Sequence, residues 1–252
     1  MKESIRRINI LIKRNFKEII RDYLSLIFLF LLPIVMLVMF YLLFHKATSQ
    51  FSVAILAPGI VAFSNAFNCL FMGILIATDR SSAFLTRLYT TPIKSYEFVL
   101  GYSFVMIPIA LLQSILIYLV AIVMEPAFFN FSLILSILGN IPVAFLFIGF
   151  GVLFGTLCNE KSVGGISTII IMGQSILSGM WFPLDTLSKG FNNSIKCLPF
   201  RNSSLLLQNL CDISKINNFL TNIGLPLLIV LLYAIIIYSV AVILYNKKMK
   251  NK

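Results

Sequence analysis

The sequence predicts an all-α integral membrane protein: an N-terminal interfacial amphipathic helix followed by six transmembrane helices, with both termini in the cytoplasm. Three observations predict it. Of the 252 residues, 59% are apolar and only 12% charged, whereas soluble domains average about 45–50% and about 25%, so a soluble core cannot absorb the excess. The apolar residues gather into runs of about 20, the length that crosses a hydrocarbon core of about 30 Å as a helix with its backbone groups satisfied internally. Finally, 15 of the 20 Lys and Arg fall in the pieces that share one side of the membrane when the N-terminus is inside, namely 1–22, 79–96, 159–161 and 246–252, as the positive-inside rule requires. The net charge of +11 is thereby assigned to segments facing anionic lipid. Nucleic acid is not expected as a partner, because no basic face is interleaved with stacking aromatics.

Residues 1–22 are the first element. Ile5, Ile8, Ile12, Phe16 and Ile19 recur at steps of three and four and mark one helical face. Arg7, Arg14 and Arg21 recur at heptad spacing on another, with Arg6, Lys13 and Lys17 beside them. A basic amphipathic helix of this kind lies in the membrane interface; a solvated helix packed on another protein is the alternative. Its length and charge ahead of the first apolar run, which has no cleavage-like exit, argue against a signal peptide.

Spans are expected at Tyr23–Phe44, Val53–Thr78, Glu97–Met124, Ser132–Cys158, Ser162–Trp181 and Ile223–Tyr245. The fifth is the weakest, with Ser, Gly and Gln running through it. Phe44, Trp181 and Phe182 fall near the outer boundary, and Tyr23 and Tyr245 near the inner one, where an aromatic belt would place them. The spans hold almost no ionisable residue, so an ion path has little support. They do hold uncharged polar residues: Asn65, Asn68, Gln113, Asn140 and Gln174. Asn65 and Asn68 share a helix face at i, i+3; these side chains either line a pathway or bond between helices. Gly151 and Gly155 form a GxxxG suited to close helix packing, and Pro33, Pro108 and Pro142 are candidate kinks.

Residues 79–96 separate the second and third spans. Phe84, Leu85, Leu88 and Tyr89 form a compact apolar patch on a short helix, which Thr91-Pro92 ends because the residue before proline avoids the α region. A new helix restarts near Glu97. Such a patch on the water side either packs on the protein's own spans or the inner leaflet, or serves as a knob for a cytoplasmic partner.

Catalytic and metal chemistry find no footing. One His, His45, and four scattered Cys offer no zinc spacing, and no Ser/His/Asp set gathers at one boundary. The nearest string to a phosphate-binding loop is "GTLCNEKS", Gly155 to Ser162. It carries Glu160 where the second Gly must stand, and an acidic side chain there repels phosphate. It reads as a short cytoplasmic turn. Cys197 and Cys211 both fall in the outer segment 182–222, where pairing and two free thiols are both open.

Residues 79–101 resemble the cytoplasmic segment of ABC-2 type transporter permeases, in which the pattern R-L-x-T-T-P-[IV]-x-x-x-E-x-x-x-G is common. Here it reads Arg87, Leu88, Thr90, Thr91, Pro92, Ile93, Glu97 and Gly101. A second match is "SGMWFPLDTL", Ser178 to Leu187, with Gly179, Phe182 and Pro183 as the outer motif. The resemblance covers essentially the whole chain, with one departure. Many members carry Asn-Pro in the outer segment, and the nearest Pro here is in "CLPFRN", Cys197 to Asn202.

The resemblance implies a multi-pass transport subunit of a bacterial plasma membrane that hydrolyses no ATP itself. ATP and Mg would be bound by separate cytoplasmic ABC ATPase subunits, and a second permease, identical or paralogous, would complete the pathway. Residues 80–96 would form the coupling helix, with Phe84, Leu85, Arg87, Leu88, Tyr89, Thr91, Pro92, Ile93 and Glu97 as the coupling residues. Arg87 and Glu97 would contact the ATPase or stand as solvated flanking charges. The cargo would be an exported amphipathic or hydrophobic compound: drug, peptide or lipid-like. The competing class is a six-span channel or membrane enzyme that needs no ATPase.

Overall fold

The computed structural model describes residues 2–82, 93–181, 188–213 and 218–250. Among these every regular element is helical. Helix α1 (Lys2–Arg21) leads through Asp22 into α2 (Tyr23–Phe44); the Asp22 carboxylate accepts from Ser25 N at 3.2 Å and caps α2. A 3₁₀ turn (Ser49–Phe51) precedes α3 (Val53–Ser81). Next come α4 (Ser95–Met124) and α5 (Ser132–Leu157). Asn159 then caps α6 (Glu160–Leu177), its side chain accepting from Ser162 N at 2.9 Å. Short helices α7 (Lys189–Lys196) and α8 (Pro199–Cys211) follow. A π turn (Leu220–Gly224) opens α9 (Leu225–Lys250).

Among the described residues, five helical stretches are long and apolar enough to cross a membrane: α2, α3, α4, α5 and Leu220–Lys247. They coincide with five of the six expected spans. The remaining expectation, Ser162–Trp181, falls on α6, which has 18 residues and too low a hydropathy. Glu160 and Lys161 occupy its first turn and Gly, Ser and Gln dilute the rest, and Gly179 ends it with a φ of 74°, a turn that a side chain resists. The two-residue connection between α5 and α6 is where the phosphate-loop-like string lies, with no strand before it.

Helix α3 is the axle of the bundle. Its spanning window is 72% buried, against 17% for α2 and 28% for the last helix, so the latter two present most of their apolar side chains outward. Small residues let α3 and α5 meet backbone to backbone. A methyl group on Gly151 would stand 2.4 Å from the Cys69 carbonyl oxygen, and one on Gly155 2.7 Å from that of Gly73. The stripe thus acts in packing.

Two of the aromatics expected at the boundaries pack against the protein itself. Tyr245 is only 2% exposed and stacks on Phe98 with ring centres 4.1 Å apart. Trp181 sits against Phe40 at 4.1 Å and donates its indole N–H to Ser175 Oγ at 2.7 Å. Both rings found apolar partners within the bundle. The cysteine question closes as well. Cys197 is exposed and Cys211 buried, both free; Cys197 lies just before α8 and Cys211 is its last residue, so the helix holds them about 20 Å apart at about 1.5 Å per residue. A disulfide needs Cα atoms within about 7 Å. Burial pushes the Cys211 thiol up to about 11, which keeps it protonated and unreactive.

Candidate functional site

The connection between α3 and α4 is the segment that sequence reasoning singled out. Its central residues, Phe84 through Pro92, lie outside the described residues, as do Phe182 and Pro183 of the outer motif. The described residues on either side are informative. Helix α3 runs one turn beyond the expected Thr78, so Asp79 and Arg80 are helical rather than loop. Helix α4 starts at Ser95, and Ile93 packs into a cluster with Phe98 and Tyr102.

Helix α1 grips both stalks of this connection. At the first stalk, Arg14 meets the Asp79 carboxylate with both ends of its guanidinium: Nη2 reaches Oδ1 at 2.5 Å, and Nη1 bonds Oδ2. This fork-to-fork geometry is the strong form of the Arg–carboxylate contact. The Tyr102 hydroxyl, from α4, donates to Asp79 Oδ2 at 2.5 Å. Arg14 also touches Asn15 Oδ1 at 2.8 Å and Glu18 Oε2 at 2.6 Å. Asp79 is 2% exposed, so its charge is carried by these partners. Arg80 points the other way and donates to the carbonyls of Gly155, at 2.9 Å, and Thr156. It thereby occupies two acceptors that the end of α5 leaves open.

At the second stalk, Glu97 is fully buried. It accepts from Ser4 Oγ and from Lys94 N at 3.1 Å, and lies 3.5 Å from Arg7 Nη1. The expectation of a solvated flanking charge does not hold for Glu97: it is buried, and its carboxylate is engaged by α1 and by its own helix start. The Arg7/Arg14 stripe, expected to face water and headgroups, instead carries the ion pairs. Leu11 sits between them, 4% exposed, its Cβ about where a side chain on Gly101 of α4 would go. The α1 seam is therefore Ser4, Arg7, Leu11, Arg14 and Glu18, while Ile5, Ile10 and Phe16 stay outward.

Deeper in the bundle the uncharged polar residues are tied to one another. Asn65 Nδ2 donates to Asn140 Oδ1 at 2.7 Å, and Asn68 Nδ2 to Gln113 Oε1 at 3.0 Å and to Asn65 Oδ1 at 3.2 Å. Gln113 Nε2 reaches the Leu29 carbonyl at 2.7 Å, and Asn140 Nδ2 that of Ala110 at 3.2 Å. All four amides are at most 1% exposed. The chain thus links α2, α3, α4 and α5. Gln174, also buried, donates to Ser204 Oγ of α8 at 3.0 Å. On the far side, Gln50 donates to the carbonyl of Gly179 at 2.6 Å and fixes the outer turn.

Sequence reasoning missed Asp79, Tyr102, Ser4 and the inward role of Arg7 and Arg14. The available signal was the seven-residue spacing of the two arginines, matched by a carboxylate on each flank of the connecting segment. The model of the family described as ABC-2 type transporter matches residues 6–203, from the first turns of α1 into α8. No curated protein matches the chain.

Proposed function

Because the chain belongs to the ABC-2 type transporter family, as a permease and multi-pass membrane protein rather than the catalytic subunit, we propose that it moves an amphipathic or hydrophobic compound outward across a bacterial plasma membrane. The energy would come from a separate ATPase. Residues 80–96 dock into that subunit from the cytoplasmic side, where both termini also lie. α6 serves as the fifth of six spans, and a second permease, identical or paralogous, completes the pathway.

One observation supports this reading above the others: α1 clasps Asp79 on one flank of the connecting segment and Glu97 on the other. A push on the segment therefore reaches α1, α3 and α4 together. Each contact resists separation, because removing one partner from a buried ion pair costs about 3–5 kcal/mol.

The test is Leu88→Asp. A charge placed in an apolar docking contact must be desolvated without a partner, whereas membrane insertion, driven by the spans, is untouched. Expression is expected to persist, while copurification of the ATPase and transport fall together. Ser81→Asp, on the exposed last turn of α3, is the control and is expected to change little. Full ATPase association and full transport in Leu88→Asp would remove residues 80–96 from the coupling role.

A further inference from the structure

Beside the Arg14 clasp lies a cavity of about 290 Å³ between the end of α1, the start of α2, and the facing parts of α3 and α4. Its lining is graded. Exposed Asp22 and half-buried Glu18 stand at the α1 end; Leu26, Phe71 and Leu75 form the walls; Leu29, 2% exposed, is at the floor. Asp22 and Leu29 are two helical turns apart, so the cavity runs about 10 Å along α2, from a charged entrance to an apolar base.

The ionisable residues that line the cavity are Asp22 and Glu18, both carboxylates. Arg14, beside it, is already held by Asp79 and Glu18. Lys13, Lys17 and Arg21 line the adjoining groove, which shares Arg14 and Glu18 with the entrance but not Asp22. Glu18 feels this crowding: burial, then the nearby Asp79, hold its carboxyl above the usual range, against the opposing pull of Arg14. A ligand bringing its own positive charge would relieve it.

We propose that this cavity binds a cationic amphiphile, a compound with one compact apolar body and an ammonium-type head. The body would enter between Leu26, Phe71 and Leu75, and the head would rest against Asp22 and Glu18. A zwitterionic or anionic lipid fits less well, since its phosphate would face two carboxylates. That the bound compound is cargo rests on the export reading above; that it binds does not, and the two can fail separately. Occupancy also has a route inward, because the Leu29 carbonyl at the floor is an acceptor of the buried amide chain.

The experiment uses the full chain in phosphatidylcholine nanodiscs without any ATPase. The probe is a benzophenone bearing a short alkyl trimethylammonium, photolysed in place, with adducts mapped by mass spectrometry. A sulfonate of the same shape is the comparison probe. Adducts are expected on residues 22–29 and 71–78, competed by excess non-photoreactive alkyl trimethylammonium. They should be about tenfold fewer with the sulfonate, the ratio that about 1.4 kcal/mol of charge attraction gives.

Asp22→Asn keeps a side chain that caps a helix as well as Asp does, so the fold is retained while the charge is lost. It is expected to cut labelling by the cation several-fold and leave the sulfonate unchanged. Leu75→Trp, filling the cavity, is expected to abolish both. Equal labelling by the two probes, wall adducts that no competitor reduces, or labelling untouched in both variants would overturn the proposal. If binding persists while no transport of the cation is found with the ATPase present, the export reading loses this ligand as cargo and the site stands.

Discussion

Two polar assemblies lie buried in this bundle, and they are built from different chemistry. At the α1 end, the Asp79–Arg14 and Glu97–Arg7 contacts are charged. In the middle, Asn65, Asn68, Gln113 and Asn140 are neutral. Depth explains the division. A charge far from water must be paid for by a partner, and the cost of a mismatch is several kcal/mol. Near the end of the bundle that cost is lowered by neighbouring headgroups and water, so strong and directional pairs become usable. An amide carries donors and acceptors without net charge, and each bond made in the membrane interior contributes only about 0.6–2 kcal/mol. The charged assembly is thus a rigid joint, and the neutral one is a set of weaker ties that can exchange partners.

The largest effect that would break this contrast is expected from Asp79→Ala. It removes the bidentate partner of Arg14, which keeps Glu18 and Asn15, and at the same time the acceptor of the Tyr102 hydroxyl, and thermal unfolding in detergent should show a loss of about 3–5 kcal/mol. A double-mutant cycle with Arg14→Leu should return a large coupling energy; additive losses would mean that the pair is not a joint. Glu97→Gln comes next. Its amide oxygen can still take the Lys94 N–H, while the charge facing Arg7 is gone, so a loss of about 1.5–3 kcal/mol is expected. Smaller still is Gln113→Leu, for which about 1 kcal/mol is expected; a loss as large as that of Asp79→Ala would erase the distinction between joint and ties.

Glu18 gives the smallest effect and the one with a pH signature. Its carboxyl is raised in the fold by burial and by Asp79, so the folded chain binds that proton more tightly than the unfolded chain. Stability associated with Glu18 is therefore present below the ordinary carboxylate range and declines as pH rises through the raised value. Glu18→Gln is expected to flatten this decline, measured as the pH dependence of the melting temperature between mildly acidic and neutral buffer. An unchanged pH profile would remove Glu18 from the account.

The spans were legible because one-dimensional apolar length is what a bilayer selects; Tyr23–Phe44 and Ser132–Leu157 match their expected bounds almost residue for residue. α6 was harder, since Glu160 and Lys161 in its first turn, with Gly164, Gly165 and Gln174 beyond, leave its hydropathy below that of the five spanning-length helices. The amide residues were visible as a face, Asn65 with Asn68, but not their partners. Gln113 and Asn140 come from other helices, and a face says nothing about what meets it. The clasp was the least legible. Heptad-spaced arginines on an amphipathic helix have the same pattern whether they face water or two carboxylates distant in sequence, as Asp79 is from Arg14 and Glu97 from Arg7, and only tertiary packing decides. Tyr102 gave no signal, because a tyrosine within an apolar run looks like any other core residue.

The glycine crossing of α3 with α5 has a mechanical meaning. Around Cys69 and Gly73 the two backbones touch with no side chain between them, so α3 cannot slide or roll there without collision; it can only tilt. The contact is a fulcrum placed off centre. Gly73 lies six residues from Asp79, about 9 Å, and fifteen from Pro58, about 22 Å. A tilt that displaces the Asp79 end by a given amount moves the Pro58 level more than twice as far in the opposite sense. The arm from the crossing to the Asp79 end is therefore the short one, and the arm to the Pro58 level the long one.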